Sequence, residues 1–306
     1  MSKKLSVIIV LIGAALGGAI GVFLREMSKA GLTSVQVLTI RSLFSVVVMA
    51  AALSVKHRSL LKIGLKDWPL FVGTGIISLT FHNLCYYEAI KASSMSVAAV
   101  LLYTSPIFVT IMAALIFKER MTAKSLLALA LTFGGCVLVS GIMSQGGGIG
   151  AYAFLLGINA GFGYALYSIF ARFALRKYHM ITVIFYTFLF SSASCIALCI
   201  AEGGVSSFTA LLSPSLLPVN FLFAFICCVL PYTCYTLGLK NIQASHASIL
   251  GTFEPVVATL LGVLIYNERP ELIKLAGMAL IFIAVVLIAN SRPYSPATPP
   301  STPASQ

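Results

Sequence analysis

Glu254 stands directly before Pro255 in the middle of a long apolar run, and few other ionisable side chains share that setting. A charge inside a bilayer is costly unless paired or hydrated, so each such group is a candidate for function. A carboxylate there can take up a proton or hold a cationic substrate group. The competing reading is a structural carboxylate paired to Arg41 or to a tyrosine. Arg41 lies within the second apolar run. It can pair with Glu254 or Glu88, receive a substrate carboxylate, or snorkel to the nearby interface. His82 and Tyr86 are four residues apart and share a helix face. Histidine titrates near neutrality, so Glu254, His82 and Arg41 are the candidates for coupling to protons.

Around these lie polar positions that fit a solute cavity: His82, Asn83, Tyr86, Tyr103, Ser105, Asn159, Tyr164, Tyr232, Tyr235, Thr252 and Glu254. Tyrosine in mid-span has no interface to sit at, unlike the aromatic belts at span ends. Pro106 and Pro255 each remove a backbone donor and disfavour helical geometry in the residue before them. Both are therefore predicted helix breaks that expose backbone polar groups to a cavity. Lys118-Glu119-Arg120 and Asn267-Glu268-Arg269 close two of the runs. Their acid–base neighbours read as loop-stabilising ion pairs, with gating as the alternative.

The elements that position these residues follow from composition. Of 306 residues, 59% are hydrophobic and 9% charged, against about 25% charged in a soluble domain. The bilayer must be the solvent for most of the chain. Ten runs suit the ~20 residues a spanning helix needs: Val7–Phe23, Val35–Leu53, Pro69–Tyr87, Ser96–Phe117, Leu126–Ile142, Ala151–Ala171, Thr182–Ile200, Leu216–Leu237, Ser248–Tyr266 and Leu272–Ala289. They are too long and too continuously apolar for barrel strands, which alternate over ~10 residues.

The net charge of +12 is distributed as the positive-inside rule requires. With the N-terminus inside, fourteen Lys and Arg fall on the cytoplasmic side and five outside. Both termini are predicted cytoplasmic, and no nucleic-acid partner is implied. The seven cysteines form no CxxC pair and no Cys/His cluster at zinc spacing; they read as buried thiols, and neither a metal nor a cofactor is expected. No HExxH, Walker or GxSxG motif is present, so an enzyme is not expected. Residues 291–306, rich in Pro, Ser and Thr, read as a disordered cytoplasmic tail.

The chain repeats itself. A shift of 149 residues places Pro106 on Pro255, Glu119 on Glu268 and Arg120 on Arg269, with twelve identities in 39 ungapped positions between 82–120 and 231–269. Gly13 and Gly17 echo Gly157 and Gly161. The expected units are 5–142 and 151–289, each with five spans. Five is odd, so the second unit must enter the membrane from the opposite side. The predicted architecture is all-α, with ten transmembrane helices in two inverted five-helix repeats. That design suits alternating access around a midplane site.

Thr104–Arg120 (TSPIFVTIMAALIFKER), its second copy Phe253–Arg269 (FEPVVATLLGVLIYNER) and Arg41 resemble the EamA branch of the drug/metabolite transporter superfamily. The resemblance covers residues 5–290. It implies an inner-membrane carrier, usually an exporter of amino acids or other metabolites, with a cavity lined by spans 1, 3, 4, 6, 8 and 9. The family's first span often carries a tryptophan and polar residues near its middle. Here that stretch is GAALGGAIGVFLRE, without them before Arg25. The expected partners are the lipid bilayer, a small solute and protons. A proton-coupled and a facilitative carrier both fit, as does the alternative of a membrane sensor or intramembrane enzyme.

Overall fold

The computed structural model describes residues 2–29, 31–56, 58–142, 149–203, 217–267 and 271–291. The tail beyond Ser291, Glu268 and Arg269 lie outside the described residues. All regular structure among them is helical: α1 (Lys3–Gly18), α2 (Ile20–Lys29), α3 (Ser34–Lys56), α4 (Trp68–Val72), α5 (Phe81–Ala92), α6 (Met95–Leu102), α7 (Ser105–Phe117), α8 (Ala123–Ser140), α9 (Ala151–Ala174), α10 (Met180–Gly203), α11 (Leu217–Ala224), α12 (Leu230–Leu239), α13 (Ala244–Gly251), α14 (Glu254–Tyr266) and α15 (Leu272–Ala289). Nine helical stretches among the described residues are long and apolar enough to cross a membrane. The protein is a multi-pass membrane protein. A further stretch runs unbroken from Trp68 to Ala92 through α4 and α5; it carries His82, Asn83 and Glu88, which lower its hydropathy.

The duplication is visible in backbone detail. The α6–α7 pair measures 8 and 13 residues, and so does α13–α14. Each pair is broken immediately before its proline. Each ends in a left-handed non-glycine residue, Lys118 (φ 54) and Asn267 (φ 54), the only such residues among those described. A short non-glycine left-handed turn is uncommon, so its occurrence at both members of a 149-residue match is a mark of one ancestral unit. The helices flanking the cavity also match. A π-helical segment lies between α4 and α5 at Gly73–Thr80, and another between α11 and α12 at Phe225–Val229. Each π turn widens the helix and rephases every side chain that follows it.

A threonine marks each break. Thr104 Oγ1 donates to Leu101 O at 2.6 Å, and Thr252 Oγ1 donates to Ile249 O at 2.6 Å, carbonyls that the same residues' amides also reach. Proline frees the carbonyls four residues back, those of Leu102 and Gly251, and these two residues line the larger cavity and a smaller void beside it. Glycine lets a neighbouring helix close over each break. A Cβ on Gly161 of α9 would stand 2.8 Å from Leu101 O and 3.2 Å from Leu102 O at the first break. A Cβ on Gly18 of α1 would stand 2.7 Å from Glu254 O at the second. Each broken helix is thus roofed by the first helix of the opposite repeat, which only a residue without a side chain allows.

Charged groups tie the ends of the bundle. Lys3 donates to Ile288 O (3.2 Å) and Ala289 O (3.3 Å), capping α15 with a cation where the helix dipole favours one. The segment before α4 is held by Asp67, which accepts from Lys177 Nζ and from Tyr178 OH, both at 2.7 Å. Tyr186 OH and Thr182 Oγ1 bind Leu61 O and Leu60 O. Lys177, then Tyr178, hold the Asp67 carboxyl below its ordinary range. A carboxyl lowered by folding contributes stability above that ordinary value and loses it as pH falls through the lowered one. The segment should therefore stay docked until pH drops below about 3.9. Asp67→Asn should release it at neutral pH, read as faster amide exchange over residues 60–67 after correction for the intrinsic rate.

A cavity at the paired helix breaks

The break in α13–α14 places Glu254 at the first residue of α14, with Pro255 in the first turn. Helix N-termini favour negative charge, so the backbone itself prepares the position for a carboxylate. Its oxygens lie over Gly17 of α1, where a Cβ would come within 3.4 Å of Glu254 Cδ. The first span therefore contributes space rather than polar side chains.

Glu254 faces a cavity of about 360 Å³ that also takes in Arg41, His82, Asn83, Tyr86, Tyr87, Tyr103, Tyr164, Cys227 and Tyr232. A smaller void of about 60 Å³ continues past Glu254 toward Tyr167, Ser168, Tyr235 and Gly251. The larger volume is at the low end of ligand pockets, about 300–1,000 Å³.

Arg41 is buried, 7% exposed, and lines the cavity. Among the described residues no ion pair joins it to Glu254, and Glu88 is engaged by Lys91 at 2.6 Å. A buried guanidinium and a half-buried carboxyl thus face the same space without bonding each other. His82 is more constrained. Its Nδ1 donates to Ser78 O at 2.9 Å, Asn83 Nδ2 donates to its Nε2 at 3.0 Å, and its ring meets Tyr164 edge-on. Asn83 also donates to Leu79 O at 2.6 Å. Both ring nitrogens are committed, in the pattern of a neutral imidazole.

Of the candidates read from sequence, His82, Asn83, Tyr86, Tyr103, Tyr164, Tyr232, Glu254 and Arg41 line the larger cavity, and Tyr235 the smaller void. Three do not line either. Asn159 lies on the exposed face of α9 and donates to its own Leu155 O at 2.9 Å. It is five residues, or about 140° of helical turn, from Tyr164. Ser105 and Thr252 are buried at the breaks, where Thr252 serves the backbone. Tyr167, a further polar position of the sixth span by sequence, lines the smaller void, and Tyr87, next to Tyr86, lines the larger cavity. The second-repeat π segment similarly brings Cys227 to the wall.

Lys118-Glu119-Arg120 is also corrected. Glu119 does not pair within its loop. It is buried against Arg172 of α9 and accepts from Ala244 N (2.9 Å) and Ser245 Oγ (2.9 Å) at the start of α13.

With this geometry in place, the comparisons with known proteins converge. The model of the EamA-like transporter family matches residues 4–141 and 151–290. The chain belongs to the EamA-like transporter family. An uncharacterised transporter of Archaeoglobus fulgidus is 27% identical, covering 92% of this chain and 94% of its own. The uncharacterised inner membrane transporter YicL of Salmonella typhimurium is also 27% identical, with 94% and 96% covered. A solved crystal structure aligns with a TM-score of 0.74 over 94% of this chain and 96% of its own at 20% identity, a likeness of fold alone. In this EamA-like chain the two matched segments coincide with the two structural repeats, so the breaks at Pro106 and Pro255 are equivalent points of one duplicated unit.

Proposed function

We propose that this protein is a secondary carrier that exports a small amphoteric metabolite, an amino acid or a close relative, in exchange for protons. The observation that carries the reading is the shared cavity in which a half-buried carboxyl and a buried guanidinium line the same space without an ion pair between them. An amphoteric solute satisfies both, its carboxylate on Arg41 as a charge-assisted pair and its ammonium on Glu254. One carboxylate that holds either a proton or an ammonium links the two fluxes in opposite directions. Because His82 is already committed on both nitrogens, Glu254 is the proton carrier.

The membrane arrangement supports alternating access. Trp68–Ala92 is long enough at ~1.5 Å per residue to cross a ~30 Å core, which brings the spans to ten. Five spans per repeat invert the second repeat relative to the first. The excess of Lys and Arg on one side puts both termini in the cytoplasm. Matched breaks and matched π segments give each repeat the same joints, so the two can exchange shapes around Glu254.

Purified protein in liposomes tests this. Radiolabelled zwitterionic amino acids should exchange across the membrane, and an inward-acid pH gradient should drive their accumulation in the opposite direction to proton flow. Arg41→Ala should lose carboxylate-bearing solutes selectively. No flux across a broad panel of amphoteric solutes would overturn the proposal.

A further inference from the structure

The cavity and the Glu119 cluster sit at opposite ends of the same three helices. Along the α6–α7 pair, Met95 and Ser96 line the cavity, Tyr103 marks the break, and Glu119 follows the far end. Along α9, Tyr164 lines the cavity and Arg172 stands two turns beyond it. Along the α13–α14 pair, Ala258 and Thr259 line the cavity, whereas Ala244 and Ser245 begin the opposite end. That far end is the basic one, with Lys118, Arg120, Arg176 and Lys177 nearby in sequence.

We infer that Glu119 and Arg172 form the latch that shuts the basic end of the transport pathway while the cavity is open at the other. This rests on the alternating-access reading above. Glu119 comes from the first repeat, and every group it holds belongs to the second. The pair is desolvated, with side chains 2% and 11% exposed, so it is not a surface contact of negligible worth. Arg172 is also stacked over Phe117. Glu119 completes the N-terminus of α13 as well, accepting from its first amide and from Ser245 Oγ. A helix whose first amides are unpaired inside protein is unstable there, so one carboxylate secures both a neighbouring helix and an ion pair. Opening the basic end must pull α7 away from α9 and α13 and hydrate all of these groups together.

Ser248, one turn into α13 and 5% exposed, reports this end. In Ser248→Cys protein reconstituted in liposomes, a membrane-impermeant maleimide is added from the basic side, and labelling at position 248 is read by peptide mass spectrometry. Glu119→Ala removes the carboxylate that Arg172, the Ala244 amide and Ser245 share, a defect only in the shut state. Labelling should rise by about tenfold or more. Glu119→Gln retains an oxygen for the Ala244 amide and should give an intermediate rise while keeping the wild-type elution profile. It decides the matter if the alanine variant does not fold. Rates equal to the Ser248→Cys parent in the folded variants would overturn the latch. The readout needs no substrate, so a faster rate without flux of any solute would retain the latch and defeat the carrier reading. Flux with an unchanged rate would do the reverse.

Discussion

Glu254→Gln is expected to abolish accumulation driven by a pH gradient while leaving solute exchange intact. The amide keeps the shape of the carboxyl and its place over Gly17, so the cavity persists. What it loses is the exchangeable proton. One proton moved down one pH unit carries about 1.4 kcal/mol, enough for a tenfold concentration ratio. Wild-type vesicles should approach that ratio per pH unit, and the variant should show none. Counterflow requires only that the loaded cavity face each side in turn, so it should continue for a solute held mainly by Arg41. Driven accumulation unchanged by the substitution would remove Glu254 from the coupling mechanism. His82→Asn is the companion control, and it should preserve driven transport because the imidazole in this fold serves Ser78 and Asn83.

Gly161→Val should prevent recovery of folded protein, or lower its melting temperature sharply. The new atoms would meet Leu101 O and Leu102 O, backbone groups that cannot rotate away as a side chain would. Thr104 Oγ1, which the new Cβ would also meet, would have to leave its bond to Leu101 O. Overpacking a core costs about 1–3 kcal/mol when side chains can yield; here the obstacle is main chain, so the upper end is the floor. Gly134→Ala is the matched control. It faces open space within 4 Å, and replacing glycine by alanine in a helix favours folding by roughly 0.5–1 kcal/mol. A melting temperature for Gly161→Val equal to wild type would show that α9 does not bear on the first break.

The parts legible from sequence were those with a local cause. Pro106 and Pro255 forecast where the helices break because proline acts on its own backbone. The 149-residue match forecast the repeat, and the matched φ values of Lys118 and Asn267 bear it out. Arg41 and Glu254 were visible because charge is conspicuous among apolar residues. The parts that escaped depend on phase or on distant partners. Asn159 looked like a cavity residue by type, yet its orientation is set by how α9 packs on the α6–α7 pair. Tyr87 comes to the wall after a π segment shifts the helical phase, and an apolar sequence such as Gly73–Thr80 carries no mark of that turn. Glu119 reads as half of a local ion pair beside Arg120, whereas its partners are 53 and 125 residues away. The glycines of α1 signalled close packing without saying what approached them.

The crossed glycine roofs have a consequence for how the protein is made. Gly161 covers the break of the first repeat but is synthesised after that repeat is complete. Gly18 is made near the start and waits for Glu254, which comes near the end of the chain. A nascent chain halted after residue 142 would therefore hold the whole α6–α7 pair with its break at Pro106 still uncovered. The same arrangement suggests that the two halves, expressed as separate polypeptides, would each be degraded alone and rescued when produced together.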